Sequence, residues 1–314
     1  RTRVVPGVDD LRHACGRLLA LGAREGDGVD VRAVRVEAAV AELQFVPNAN
    51  AQQLARAHRS AVGVIVHDVS DPYFAEITRG LQRVAIERGR LLMICNSYRD
   101  PERELEYVEL LRGQQVAAII LAGSGYHDAT FTALLNEKLA AYEATGGRVA
   151  VIGRHEHAND AVMPDNEIGG YLIGRRLCDW GHHAIGVIAG PRVLTTTTDR
   201  LTGLRRALTE QGRDLPENRV VYSEFDRDGG AAATAALMDE DPALTAVVAL
   251  NDSMAIGAMA LLRSRGVAVP DQVSVTGFDD IALAEFAAPA LTTADVPRDA
   301  VGQLICDALI PGDD

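Results

Sequence analysis

Polar and aromatic residues are grouped in this sequence directly after short apolar runs. The first apolar run is followed by HDVSDPYF (residues 67–74), the third by AGSGY and the fourth by GRHEH. Later runs end in AGPRVLTTTTDR, SEF, LNDS and GFDD. These strings combine Asp, Asn, Arg, Ser and Thr with one or two aromatic residues. Planar and bidentate polar groups beside aromatic faces are suited to binding a polyhydroxylated or heterocyclic small molecule.

The same strings contain no recognisable catalytic constellation. AGSGY lacks the GxSxG pattern of a serine hydrolase, and no histidine is spaced to activate Ser124. No GxGxxG follows a strand, so a dinucleotide site is not expected. The adjacent Asp279 and Asp280 raise the question of acid–base chemistry, but neighbouring loop residues usually point apart and can cap the next helix instead. We therefore predict that the protein is not an enzyme.

Histidine and lysine usage narrows the chemistry further. HEH at 155–157 and the pair His182–His183 lack HExxH spacing and a second spaced pair, so surface histidines are the expectation. Lys138 is the only lysine, which excludes a P-loop lysine and disfavours Schiff-base chemistry. We expect no metal and no cofactor.

An alternation of strands and helices must position these strings. Strands are predicted at 62–66, 91–95, 116–121 and 148–152 and, after a break at 155–165, at 184–189, 219–223, 245–250 and 272–276. Helices are predicted between them at 72–88, 101–113, 128–145, 166–180, 199–211, 229–239 and 252–265. This pattern predicts an α/β protein with two doubly wound parallel-sheet lobes. Ligands of such sheets bind beyond the C-terminal ends of the strands.

Three residues on predicted helices are ambiguous. Tyr73 and Phe74 begin a helix and either pack inward or face a ligand. Arg200 lies one residue into its predicted helix, where a cation opposes the helix dipole, and this position indicates an anionic or hydroxyl partner.

The last stretch, 291–296 followed by a helix to Leu309, is predicted to return to the first lobe.

Composition is that of a globular protein of 314 residues, long enough for one large or two mid-sized domains. The sequence has no membrane-length apolar window and no signal-peptide pattern, so we expect a cytoplasmic protein without a membrane partner. The four cysteines, Cys15, Cys95, Cys178 and Cys306, are widely spaced and are expected to be reduced and mostly buried.

The first 60 residues differ from the rest. They carry nine Arg and seven Asp or Glu in a chain of net charge −13, so a nucleic-acid footprint, if present, belongs here. Residues 1–46 fit either two helices and a loop or a disordered leader with one helix. The next segment, NANAQQLARAHRS, has good helix formers but one large apolar residue, Leu54, and is either a linker or a helix that needs a partner.

From Val34 to Leu309 the sequence resembles the LacI/GalR family of bacterial transcriptional regulators. The matching strings include RVEAAVAELQFVPNANAQQLARAHRSAVGVIV, DVSDPYFAEITRGLQ, VIGR, DNEIGGYLIGRRL, GHHAIGVIAGP, DRLTGLRRAL, ALNDSMAIGAMALLRSRGVAVPDQVSVTGFDDI and PALTTADVP. The resemblance implies a periplasmic-binding-protein-like core, a homodimer, operator DNA as a partner and a small-molecule effector, a carbohydrate, in the cleft between the lobes.

The resemblance also implies residue roles. The effector-site positions are Asp68, Tyr73, Phe74, Ser124, Arg154, Asp165, Asn166, Thr196, Arg200, Phe225, Asn251, Asp252 and Asp279. A DNA-binding hinge would contain Asn48, Asn50, Ala51, Leu54 and Arg56, with Leu54 as the residue that wedges a base step open in the minor groove. Effector binding would rearrange the lobes and shift this hinge between ordered and disordered states.

The sequence departs from the family at both ends. The family headpiece reads roughly DVAxxAGVSxxTVSRVLN, and residues 1–33 do not contain this string. We therefore expect either a degenerate DNA-binding headpiece or a frame error in the coding sequence. The family chain continues from its last helix into a strand of the second lobe, whereas this sequence ends in PGDD, so we expect that edge strand to be missing.

We therefore predict a LacI-type regulator controlled by an effector. Its predicted parts are a headpiece at 1–46, a hinge at 47–60, a first lobe at 61–155 and 291–314, and a second lobe at 156–290. The alternative is a sugar-binding protein of the same fold that has lost DNA binding. A periplasmic binding protein would need a signal peptide and no hinge.

Overall fold

The computed structural model describes residues 36, 38–40, 42–43, 61–156 and 160–309. The chain divides into two units, residues 1–58 and residues 59–314, and each is described by itself. In the first unit, residues 36, 38–40 and 42 are helical, in agreement with a helix before the predicted hinge. The remaining predictions for residues 1–60 lie outside the described residues, including those for Asn48, Asn50, Ala51, Leu54 and Arg56.

The described residues of the second unit form nine strands in two parallel sheets. The first sheet has the order β2–β1–β3–β4–β5 and the second the order β7–β6–β8–β9. The strands are β1 Ala61–Val66, β2 Leu91–Asn96, β3 Ala118–Ala122, β4 Arg148–Ile152, β5 Asp160–Val162, β6 Ile185–Ala189, β7 Val220–Tyr222, β8 Ala246–Ala249 and β9 Ser274–Thr276. Two sheets with flanking helices confirm the predicted α/β class and the two lobes.

Helices alternate with these strands along the second unit. They are α1 Pro72–Glu87, α2 Pro101–Gly113, α3 Ala129–Glu143, α4 Asn166–Asp179, α5 Thr195–Glu210, α6 Arg227–Glu240, α7 Asp252–Ser264, α8 Ala282–Phe286 and α9 Arg298–Leu309, with a 3-10 turn at Glu217–Arg219. Asp100 caps α2 as predicted, because its carboxylate accepts hydrogen bonds from the backbone N–H groups of Glu102 and Arg103. None of the described helices is long and apolar enough to cross a membrane.

Strand β1 contacts helices on both faces of the first sheet. Val62, Val64 and Val66 share a core with residues of α1 and α9, while Ile65 belongs to the core that contains Leu111 of α2. Successive side chains of a strand point to opposite faces, so a strand that is buried on both faces is apolar throughout. This is why the run AVGVIV was recognisable as a strand.

Two element predictions were wrong. The string 155–165, interpreted as a break, contains β5, which pairs in parallel with β4 at the sheet edge. An edge strand of three half-exposed residues has no apolar run that would reveal it. Helix α5 begins at Thr195 rather than at 199, because a run of four β-branched threonines of low helix propensity concealed its first turn. Arg200 consequently lies in the second turn of α5.

The segment 291–296 was also assigned to the wrong lobe. The N–H of Gly277 donates to the carbonyl of Thr292, and the N–H of Asp279 donates to that of Ala294, each at 2.8 Å. The segment thus extends the second sheet beside β9. Only α9, which packs against α1, returns to the first lobe. Apolar alternation in LTTADV predicted a strand but carried no information about which sheet it joins.

Helices α4 and α5 approach each other closely at Gly203. A Cβ at this position would overlap the carbonyl oxygen of Glu167 and lie 2.8 Å from the backbone nitrogen of Tyr171. We expect Gly203→Ala to lower the free energy of unfolding by about 1–3 kcal/mol, because two helix backbones must separate to accept the methyl group. Urea denaturation of the variant measures this.

The matched control is Gly113→Ala at the end of α2, where nothing lies within 4 Å of the added Cβ. This change is expected to leave stability unchanged or to raise it by about 0.5–1 kcal/mol, since alanine is the better helix former. Equal unfolding midpoints for the two variants would contradict the close approach at Gly203.

Candidate functional site

The loops that follow the strands of both sheets meet at one small cavity between the lobes. Its volume is about 40 Å³, roughly the space of one water molecule. Small-molecule sites usually measure about 300–1,000 Å³, so the cleft is closed in this structure. A ligand of sugar size does not fit this cavity as it stands.

Nine of the predicted effector-site residues line this cavity. They are Tyr73, Phe74, Ser124, Asn166, Thr196, Arg200, Phe225, Asn251 and Asp279. They come from both lobes, because parallel strands bring the loops at their C-terminal ends to one edge of each sheet.

The other four predicted residues lie elsewhere. Asp68 accepts hydrogen bonds from the backbone and the hydroxyl of Ser70 in an exposed turn. Arg154 pairs with Asp199, and Asp165 caps α4. Asp252 is fully buried and accepts hydrogen bonds from the Ile281 N–H at 2.8 Å and the Thr293 hydroxyl at 2.6 Å. These four side chains are occupied by contacts within the protein and do not border the cavity.

Arg200 is the most highly connected polar side chain of the site. Its Nε donates to the Asn166 carbonyl oxygen at 2.8 Å, one terminal nitrogen to the backbone carbonyl of Leu250 at 2.5 Å, and the other to Asp279 at 2.8 Å. Its guanidinium also lies 3.7 Å from the ring centroid of Phe278. The anionic partner that the sequence indicated for Arg200 is therefore a residue of the chain itself. Only 4% of Arg200 is exposed, so this network is largely shielded from water.

The loop that carries Asp279 has unusual backbone conformations. Asp279 has φ 104° and Asp280 has φ 55°, both in the region that non-glycine residues avoid. The hydrogen bonds of Asp252 to Ile281 and Thr293 hold this loop, which assigns Asp252 a positioning role. Burial raises the pKa of Asp252 to about 6. Burial also raises the pKa of Asp279, and the adjacent Arg200 guanidinium opposes that rise.

Aromatic residues form the wall of the cavity in the first lobe. The Phe74 ring lies 5.0 Å from Tyr73, edge to face, and 5.6 Å from His67. Phe74 belongs to the core of the first sheet and also lines the cavity, and its contact with a ligand stays a prediction. Burial, followed by the charge of Arg99, keeps the pKa of His67 well below its ordinary value, and the imidazole is neutral.

Direct contacts between the lobes hold the cleft closed. The hydroxyls of Ser124 and Thr196 lie 2.5 Å apart. Backbone bridging joins Tyr126 to Leu194, and the ion pair between Arg154 and Asp199 connects the same two regions. Arg154 thus contacts the opposite lobe rather than the cavity.

Sequence reasoning missed several cavity residues, including His67, Asp71 and Arg99. Asp71 and His67 lie within the HDVSDPYF string. Nothing in the sequence distinguished a histidine or a helix cap at these positions from a residue that faces the cavity. Arg99 follows β2 in the string NSYRD. It was missed because the strand ends considered did not include that of β2. Three cysteines, Cys95, Cys178 and Cys306, are free and buried as predicted, and Cys15 lies outside the described residues.

Two parallel-sheet lobes around a closed, polar and aromatic cleft define a periplasmic-binding-protein-like effector core. Residues 59–313 match the family model described as periplasmic binding proteins and sugar binding domain of LacI family. The chain belongs to the LacI/GalR family of transcriptional regulators.

Individual relatives agree with this assignment. The chain is 33% identical over 264 residues to the HTH-type transcriptional regulator GalR of Escherichia coli K12. The aligned region covers 83% of this chain and 75% of GalR. It is 31% identical to the ribose operon repressor of the same organism over 88% of this chain and 82% of the repressor. These relatives are named as regulators and repressors, not as enzymes.

Solved structures have the same architecture. The transcriptional regulator CelR in complex with cellobiose has a TM-score of 0.69 and 29% identity, covering 91% of this chain and 85% of CelR. A LacI family regulator from Enterococcus faecium with bound ribose has a TM-score of 0.69 and 28% identity, covering 79% of this chain and 88% of that chain.

Proposed function

We propose that this protein is a transcriptional regulator whose DNA binding is controlled by a neutral sugar in the cleft between its lobes. The observation that carries the proposal is the network of Arg200, Asn166 and Asp279 beside the rings of Phe74 and Phe225. Charged and amide groups can exchange hydrogen bonds with sugar hydroxyls, and aromatic faces can pack against the apolar faces of the ring. Similar regulators have been solved with cellobiose and with ribose.

Closure of the cleft provides the mechanism of control. Contacts such as the Ser124–Thr196 hydroxyl pair form only when the lobes are together. A sugar that binds both lobes favours one arrangement by its difference in affinity for the open and the closed state. The hinge at 47–60 would transmit this arrangement to DNA, with Leu54 in the minor groove. This role requires a cytoplasmic location.

A sugar screen by thermal unfolding tests the effector site. A ligand of the folded state present at 100 times its Kd raises the free energy of unfolding by about 2.7 kcal/mol. The panel should contain ribose, galactose, glucose and cellobiose. Binding of no neutral sugar, confirmed by calorimetry, would remove the effector part of the proposal.

DNA binding needs its own experiment, because residues 1–33 lack the family headpiece string. The second candidate is a sugar-binding protein of the same fold without DNA binding. Selection from random duplex DNA at low salt, with and without the bound sugar, distinguishes the two. Recovery of a palindrome with a central pyrimidine–purine step supports the regulator, and sugar binding without DNA enrichment supports the alternative.

We further propose that the chain forms a homodimer. Exposed apolar residues support this proposal, namely Leu91 and Ile94 on the edge strand β2 and Leu283 and Phe286 on α8. An exposed apolar edge strand is normally covered by another chain or element. Light scattering should give twice the chain mass of 33.5 kDa.

A further inference from the structure

Arg99 lies at the mouth of the closed cleft. Asp71, Arg99 and Phe225 line both the 40 Å³ cavity and an outer groove of about 580 Å³. These three residues therefore separate the interior of the cleft from the groove that opens to solvent.

The side chain of Arg99 reaches from the first lobe to the second. Its guanidinium carbon lies 5.6 Å from the ring centroid of Phe225. On the first lobe it faces Asp71, with 3.9 Å between the nearest nitrogen and oxygen, which is too long for a hydrogen bond.

The hydrogen-bond donors of Arg99 are largely unused. Its side chain is 18% exposed, and its Nε is buried without a hydrogen-bond partner among the described residues. Arg200, in the same cavity, uses all three of its nitrogens in hydrogen bonds of 2.5–2.8 Å. Leaving a mostly buried guanidinium unsatisfied is unfavourable unless a ligand supplies the acceptors.

The backbone at Arg99 is strained. Tyr98 has φ 53° and Arg99 has φ 60°, two consecutive non-glycine residues in the left-handed region. The surrounding hydrogen bonds hold this conformation, since the Tyr98 N–H donates to the His67 carbonyl and the Asp100 N–H to that of Ser97. The chain thus maintains an unfavourable conformation that directs Arg99 to the mouth.

We propose that Arg99 and Asp71 bind neighbouring hydroxyl groups of the sugar at the mouth of the cleft, with Arg99 as donor and Asp71 as acceptor. The inference rests on the proposed function of the cleft as a sugar site. Arg99 would thus determine which sugars bind, by requiring a hydroxyl group at the end of the ligand that faces the mouth of the cleft.

The charges around Arg99 favour a neutral ligand over an anionic one. The carboxylate of Asp71 lies 3.9 Å away. Asp68, Asp226 and Asp228 line the outer groove, where Arg227 is the one cation besides Arg99 among the lining residues, so carboxylates outnumber cations. An anionic substituent at the mouth would be repelled by these carboxylates, whereas a hydroxyl can accept from the guanidinium and donate to a carboxylate.

The test is calorimetric titration of the full chain with the neutral sugar that stabilises it most in the screen. Arg99→Met keeps the apolar stem and removes every donor, and we expect its Kd to rise by about 10–100-fold. Arg99→Lys, which keeps the charge, should give an intermediate Kd. The control is Arg103→Met on the exposed face of α2, with a Kd within about twofold of the wild type.

Deoxy sugars separate direct contact from a structural role. We expect one monodeoxy analogue of the sugar to bind the wild type as weakly as the parent sugar binds Arg99→Met, with no further loss in the variant. Equal additional losses in both proteins would overturn the proposed contact. The corresponding uronic acid should bind the wild type more weakly than the neutral sugar, and tighter binding would overturn the ligand class.

The outcomes distinguish this inference from the proposed function. Wild-type sugar binding with an unchanged Kd in Arg99→Met overturns the role of Arg99 and leaves the cleft as a sugar site. A wild type that binds no neutral sugar overturns the proposed function and this inference together.

Discussion

Arg200→Met is expected to lower the free energy of unfolding by about 3–5 kcal/mol and to abolish sugar binding. Arg200 and Asp279 are both buried and lie 2.8 Å apart. Removing the guanidinium leaves a buried carboxylate without its cation, and Asn166 and the Leu250 carbonyl lose their donor. Urea denaturation followed by circular dichroism measures the first effect, and calorimetry measures the second.

The matched control is the double variant Arg200→Met, Asp279→Asn. It removes both charges of the pair, so it should be more stable than Arg200→Met alone. Sugar binding should still be absent, because the donor and the charged acceptor are both lost. A single variant as stable as the wild type, or a double variant less stable than the single one, would contradict the buried ion pair.

Glu104→Gln is expected to remove a large pH dependence of stability. Glu104 is 2% exposed on α2, and one of its carboxyl oxygens has no hydrogen-bond partner among the described residues. Burial raises its pKa from the ordinary 4.5 to about 8, and the nearby Tyr126 hydroxyl opposes the rise. The protonated form is thus favoured in the folded state.

The sign of this effect follows from proton linkage. Between pH 4.5 and pH 8 the unfolded chain releases this proton while the folded chain keeps it, so stability falls as pH rises through this window. A shift of this size corresponds to about 4–5 kcal/mol. The stability of Glu104→Gln relative to the wild type should therefore rise by about that amount between pH 4.5 and pH 9 in urea denaturation.

Glu106→Gln provides the control, because Glu106 is exposed two residues further along α2. Its stability should follow the wild-type pH profile. A Glu104→Gln profile parallel to that of the wild type would mean that Glu104 is charged and solvated in the folded protein.

Much of the fold was predictable because local rules agreed with the tertiary structure. The strand β1 is apolar throughout because both of its faces are buried. Helix α2 begins where Asp100 caps and Pro101 takes the first position, and it ends at Gly113 as predicted. The short edge strand β5 and the threonine-rich start of α5 were missed because neither has a strong local signal.

The candidate site divides in the same way. Order along the chain predicted that the loops after the strands meet at one edge. Nine of the thirteen residues that the family resemblance implied line the cavity. The resemblance carried no information about side-chain direction, so it grouped Asp252, which holds the loop of Asp279, with residues that face the cleft.

The sequence by itself determined the alternation of strands and helices, the family and the loops that form the cleft. The strands, helices and loops depend on burial periodicity, capping and residue types, which are local properties of the chain. The family was indicated by the resemblance of the ordered strings to its other members. Only the tertiary structure decided that Arg200 is neutralised by Asp279, that Arg154 connects the lobes and that Arg99 lies across the mouth against Phe225. Each of these contacts joins residues that are 45–126 positions apart, and which distant groups meet is set by the packing of the two lobes.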